Sequence, residues 1–396
     1  MSITEKFEKT AQDNQNNQDK PEQTQKKEKV RLYKIHGVKV HVTPSEKQFA
    51  QDLFDSLASI PTGQKALEDM KKFKVDFYLE TALGTAGGYF DPENNKIVMA
   101  KSLGKDFMEF ALVHEARHLL QNNQGRNEAE AQNLDYASRL MINRATEADA
   151  QTQAIKACKE WEALGYDAPM KRFEKHYKPI VDAYNKRGSL SDAFKGWYDD
   201  ERIASSYEQG YDVDVYLGNL TSAPDRRPPV SLKPADIAHF CGGDRVEGFE
   251  EFLDSKQARQ VHLLTKTAAE LYDEAMAAQG GPRDPSLKDV PVRDLKDNPA
   301  AQMYADKYIK KTRQDTYPKL LKEDTDPLEK RVSNRVMFAL SAVEKINAAA
   351  IKGERDVNAE KVLKETKEHL AKDIKQFIPS AEKTAPLAAI KNSKSR

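Results

Sequence analysis

Cysteine is scarce in this chain: Cys158 and Cys241 are the only two among 396 residues. Two thiols cannot supply a disulfide framework or a cysteine-based zinc site, and Cys158 is expected to be a small buried residue. Net charge is also missing, because 63 Lys and Arg balance 63 Asp and Glu. A general nucleic-acid binder needs a basic field, so that class is set aside. No segment approaches the ~18–20 apolar residues of a membrane span. The opening Met1-Ser-Ile-Thr-Glu-Lys-Phe-Glu-Lys-Thr10 lacks the apolar core of a signal peptide, and a cytoplasmic location is the expectation. What is present, 39% hydrophobic and 32% charged residues, fits a helix-rich globular protein of two or three domains.

Against this background one segment stands out: Phe107-Met-Glu-Phe-Ala-Leu-Val-His114-Glu115-Ala-Arg-His118-Leu-Leu-Gln121. On a helix, residues four apart lie about 40° from one another, so His114 and His118 can grip one metal ion from the same face. Glu115 lies beside that face, within reach of a metal-activated water. The segment is apolar around a wide arc, which predicts a buried helix. The plainer alternative is a pair of core histidines satisfied by hydrogen bonds, an arrangement that is costly in the interior without partners.

A catalytic site of this kind needs a third protein ligand. The HExxHxxGxxH arrangement is excluded, since Gln121 and Gln124 occupy the last two positions. Glu128, Glu130 and Asp135 follow too closely for a return helix. The alanine-rich stretch Asn143-Arg-Ala-Thr-Glu147-Ala-Asp149-Ala-Gln151 is better placed, because its small residues let one helix press on another. Glu147 and Asp149 lie about 200° apart on a helix, so only one can face the metal. Glu147 is taken as the third ligand with Asp149 as the alternative, and Arg144 and Gln151 are candidate supporting groups on its side.

Along the chain, residues 1–29 are polar and predict a disordered tail. Arg31 to Val42 alternates around Gly37 and reads as a hairpin. Ser45-Glu-Lys-Gln48 is a candidate capping box for a helix carrying Phe49, Leu53, Phe54 and Leu57. A second helix runs from Gly63 to Phe73. Val75–Glu80 and Lys96–Met99 read as strands, with Gly87-Gly-Tyr-Phe90 and the turn Asp91-Pro-Glu-Asn-Asn95 between them. Further helices are expected at about 127–161, 169–186, 191–209, 300–322, 328–351 and 356–377, with Ala223–Val230 as a linker. The domain reading is a tail at 1–29, an α+β domain at 30–220, a helical domain of unknown role at 231–380 and a basic flexible tail at 381–396. The last segment is read as solvated; the alternative is a signal for a specialised bacterial secretion system.

His-Glu-Ala-Arg-His-Leu-Leu-Gln121 followed by Thr-Glu-Ala-Asp149-Ala resembles the gluzincin clan of zinc metallopeptidases. It is most similar to bacterial metallopeptidase families that pair HExxHxxQ with a downstream Glu-Ala-Asp. The order strand, short strand, turn, strand, HExxH helix is that of a zincin N-terminal half. The resemblance implies a zincin-like α+β domain with a small mixed or antiparallel sheet and active-site helices, followed here by an all-helical region. It implies one Zn2+ per chain on His114, His118 and Glu147, with Glu115 as general base and a peptide or protein as substrate. Gly87–Phe90 is the candidate substrate-binding edge. Many gluzincins carry an Asp four residues after the ligand Glu; Gln151 stands there instead. An oxyanion partner is sought among Tyr198, Tyr207, Tyr211 and His239. Two alternatives are kept: a non-catalytic scaffold on a zincin fold, and a narrow-specificity secreted effector protease. The sequence leaves oligomeric state open.

Overall fold

The computed structural model describes residues 28–83, 87–200, 203–204, 208, 225–278, 280–293 and 328–384. The expectations for the tail at 1–27, the helix at 300–322, Tyr207, Tyr211 and the segment after 384 lie outside these residues. The chain forms two compact units. The fold is mixed α+β, with one five-stranded sheet and, among the described residues, a C-terminal region built of helices.

The first unit comprises residues 1–127, 146–197 and 238–247. Strands β1 (Arg31–Ile35) and β2 (Val38–Val42) pair antiparallel. The turn between them is His36-Gly37, with φ of 47° and 86°. Two successive left-handed residues make the tight turn whose twist matches a hairpin, hence the glycine. After β2, Pro44–Glu46 forms a 3-10 turn leading into α1 (Lys47–Ala58). The cap starts two residues before the expected Ser45, because Pro44 suits a first helical position and keeps Thr43 extended. The Glu46 carboxylate accepts from the Thr43 N–H at 2.9 Å.

Helix α2 (Pro61–Lys72) follows, then β3 (Asp76–Glu80), β4 (Gly88–Asp91) and β5 (Lys96–Ala100). The sheet order is β1-β2-β3-β5-β4; β3 lies parallel to β2 and β5, and β4 pairs antiparallel with β5 at the edge. Its interior strands carry the core. Val40, Phe77, Ile97 and Met99 are fully buried, as are Leu53, Phe54 and Leu57 of α1. Phe54 meets Phe77 edge to face at 5.1 Å between ring centres. Each such side chain contributes about 2–3 kcal/mol by leaving water.

Helix α3 (Lys105–Asn123) carries the HExxH segment and α4 (Arg126–Glu130) is a single turn. Gly125, at φ 102°, supplies the left-handed residue that ends α3. The long α5 (Tyr136–Ala163) is a separate helix beginning after a break at 131–135. From Thr146 onward α5 belongs to the first unit, where two polar contacts fix it. Glu160 accepts from the Thr62 N–H and hydroxyl at 2.8 and 2.7 Å, and the Trp161 indole donates to the Ser56 carbonyl at 3.0 Å. Helices α6 (Ala168–Arg187) and α7 (Leu190–Asp199) follow.

The second unit contains residues 128–145, 198–237 and 248–396. Its longer helices are Leu263–Ala278, Leu328–Ile351 and Val357–Thr384. Tyr136, Leu140, Val261, Ala269, Leu287 and Val290 form one apolar cluster. Beside it, buried Glu208 accepts from Arg144, Arg293, the His262 N–H and the Thr265 hydroxyl. Four donors on one carboxylate are what a buried charge requires.

Candidate metal centre

Helix α3 is buried nearly all round, and its polar residues are therefore held by partners rather than by water. His114 and His118 lie one turn apart, with Nε2 atoms 3.0 Å from each other. Glu147 of α5 faces both: Oε2 is 3.5 Å from His114 Nε2 and Oε1 is 3.4 Å from His118 Nε2. Alanines at 145, 148 and 150, all fully buried, allow α5 this close an approach. The ligand atoms of the three residues all lie within 4.8 Å of one another, and among the described residues they form the one such convergent group of His, Cys, Asp or Glu.

The separations can be tested against a metal. Zinc bonds of about 2.0–2.1 Å in a tetrahedron place neighbouring ligand atoms about 3.3–3.4 Å apart. The observed 3.0, 3.4 and 3.5 Å bracket that value. As hydrogen bonds the two carboxylate contacts are poor, and Glu147 Oε2 is buried without one. A buried carboxylate facing two imidazole nitrogens at these distances is a set of groups that could hold a metal ion. The donor set fits one, and nitrogen with carboxylate oxygen suits zinc.

Charge in the site is set by burial and by its immediate neighbours. Burial pushes Glu147 upward, but the adjacent imidazoles of His118 and His114 outweigh it and hold the carboxyl well below its usual range. Glu115 goes the other way. Burial raises it, the neighbouring His114 only partly offsets this, Glu147 adds repulsion, and the result is a pKa of about 7. Glu115 Oε2 accepts from the Phe90 N–H of β4 at 2.9 Å. This N–H points away from β5, so the edge strand faces the site.

The close fit of β4 explains the glycine pair at its start. A Cβ on Gly87 would fall 2.3 Å from the Phe107 ring, and one on Gly88 would fall 2.5 Å from the Met99 sulfur. The strand can approach α3 and β5 this closely only because both side chains are absent.

Behind the histidines lies a buried polar chain. The Gln121 side chain accepts from His118 Nδ1 at 2.8 Å and donates through Nε2 to the Thr146 carbonyl and to Asp149 Oδ2, both at 2.9 Å. Asp149 in turn pairs with Arg117 through two contacts of 2.6 and 3.0 Å. Arg117 also donates to Asp244 and to the Cys241 carbonyl. Asp149 is thereby occupied, and Glu147 is the acid that meets the histidines.

Residues 34–222 match a family described as "Putative metallopeptidase family (DUF6782)". The matched segment contains His114, Glu115, His118, Gln121, Glu147 and Asp149. The match supports metallopeptidase activity for this part of the chain, and with it a bound metal. Comparisons with curated proteins and with solved structures gave no match.

Other residues singled out from the sequence lie elsewhere. Arg144 serves Glu208 in the second unit rather than Glu147. Tyr198 is also a second-unit residue and packs edge-on against Phe252 at 4.9 Å. His239 is exposed near the end of the helix Pro234–Phe240. His36 and His41 bind Asp55 and Asp76 respectively and are structural. The pairing of Gln121 with Asp149, the Arg117 anchor and the Phe90 N–H have no signature in spacing alone, although Gln121 does share the His114–His118 stripe at i+3 and i+7.

Proposed function

We propose that the chain is a zinc-dependent peptidase with a gluzincin-type ligand set, His114, His118 and Glu147 holding one Zn2+ and Glu115 acting as general base. The convergence of two imidazoles and one carboxylate beside a glutamate with a pKa of about 7 carries this reading. Bound there, zinc would supply Lewis-acid chemistry, bringing the pKa of water to near neutrality and polarising a carbonyl. Glu115 Oε2 is occupied by the Phe90 N–H, which leaves Oε1 to take the proton of the attacking water. The charge of bound zinc would lower the Glu115 carboxyl from its raised value, so that it stands ionised to accept that proton and then release it to the leaving amine. Burial of the site excludes competing water. The edge strand β4 provides backbone groups to which an extended peptide substrate adds as a further strand.

The test has two parts. Elemental analysis is expected to find about one zinc per chain in wild type and none in His118→Ala or Glu147→Ala. Glu115→Gln is expected to keep the zinc and to lose 100-fold or more of peptide cleavage, on the order of a general-base contribution. Metal-free wild-type protein after reconstitution, or full cleavage by Glu115→Gln, would overturn the proposal.

A further inference from the structure

The two histidines are supported very differently. Gln121 Nε2 has two acceptors, the Thr146 carbonyl and the Asp149 carboxylate, each at 2.9 Å. An amide nitrogen satisfied by two acceptors fixes which way the amide points, so Oε1 is the atom that meets His118 Nδ1 at 2.8 Å. An oxygen there can only accept. The neutral ring of His118 therefore carries its proton on Nδ1, which places the Nε2 lone pair on the side of Glu147 and His114. His114 has the opposite arrangement. Its Nδ1 is buried with no hydrogen-bond partner, and its Nε2 lies 3.0 Å from the lone pair of His118 Nε2.

Gln121 is itself held in place. It is fully buried, and Asp149 and Arg117 are nearly so. Arg117 fixes Asp149 with a two-pronged contact and is tied at its far side to Asp244 and the Cys241 carbonyl. The guanidinium fork and the carboxylate leave Asp149 Oδ2 one direction in which to accept from Gln121. The chain runs Arg117, Asp149, Gln121, His118, every member within one unit.

We propose that Gln121 is a positioning residue that locks His118 as its Nδ1–H tautomer, and that the Arg117–Asp149 ion pair sets Gln121 for that task. The importance of the lock for metal binding rests on reading His114, His118 and Glu147 as ligands. His118 is then a ligand ready before the metal arrives. His114 has no such partner on its Nδ1 to fix its proton. A supporting partner of this kind typically changes metal affinity 10–100-fold when lost.

The test uses the full chain with 15N-labelled histidine, observed by long-range 15N–1H correlation with and without zinc, alongside competition titration of zinc affinity. Wild type without metal is expected to show His118 as Nδ1–H and to keep that tautomer on zinc addition. Gln121→Met removes both hydrogen-bonding ends and is expected to mix the His118 tautomers and to weaken zinc binding 10–100-fold. If the Met variant does not fold, Gln121→Asn, too short to reach the imidazole, takes its place. A His118 that stays Nδ1–H with unchanged zinc affinity in the Met or Asn variant would overturn the positioning role. Wild type that binds no zinc but holds His118 as Nδ1–H would overturn the metal reading and leave the lock standing.

Discussion

Glu115 carries a pH signature that is readable in stability as well as in turnover. Its folded carboxyl keeps its proton up to about 7, against an ordinary value of 4.5. An acid whose pKa is raised on folding favours the folded state at low pH, and that advantage disappears as pH rises through the folded value. In the metal-free chain, ionised Glu115 therefore costs about 3 kcal/mol at pH 8 relative to a carboxyl of ordinary pKa. Glu115→Gln without metal is expected to be more thermally stable than wild type at pH 8, with the difference vanishing toward pH 4; melting curves across that range check this. The Phe90 N–H stabilises the ionised form. Phe90→Pro removes that donor from an edge strand without taking a bond from the ladder. The acid limb of its pH–rate profile is expected to move to higher pH; a limb that moves down, or stays, contradicts the assigned contact.

At the scale of elements, the approach of β4 to α3 depends on two residues without side chains. Gly88→Ala places a methyl 2.5 Å from the Met99 sulfur and 3.1 Å from the Val98 carbonyl. Overpacking of this sort typically costs about 1–3 kcal/mol, and a corresponding drop in denaturation midpoint is the expected readout. Strands and helices of this unit were legible because period-two alternation and turn chemistry act locally. The hairpin at 31–42, the strands at 76–80 and 96–100 and helix α3 all follow from such patterns. The cap before α1 stands at Thr43, two residues ahead of Ser45, because Thr43-Pro44 and Ser45 both offer start signals and Pro44 decides between them. The break at 131–135 is harder to read, since Glu128 to Asp135 has neither a proline nor a glycine to mark it. The short helices at Pro234–Phe240, Phe249–Leu253 and Lys256–Arg259 fell below any periodic signal. In the site, the histidines and Glu147 followed from helical spacing and small neighbours. Gln121 did not, because its role depends on which residue α5 presents to it, a tertiary fact.

For the whole molecule, the separation of the ligands along the chain matters as much as their meeting in space. His118 and Glu147 are about 30 residues apart in sequence, on two helices with a helical turn and a break between them. A metal held by both would tie that loop closed, in a chain whose two cysteines are free and buried. By the chain-entropy estimate for a cross-link, a loop of this length stabilises the fold by roughly 3–4 kcal/mol through the unfolded state. Chelation is therefore expected to lower the melting temperature and to make the 131–135 break and the start of α5 more open to proteolysis, with zinc restoring both. An unchanged melting temperature and digestion pattern after metal removal would show that the loop is held by packing alone. The same three side chains that converge at the candidate metal centre would then also be a removable staple, linking the integrity of this region to the supply of free metal.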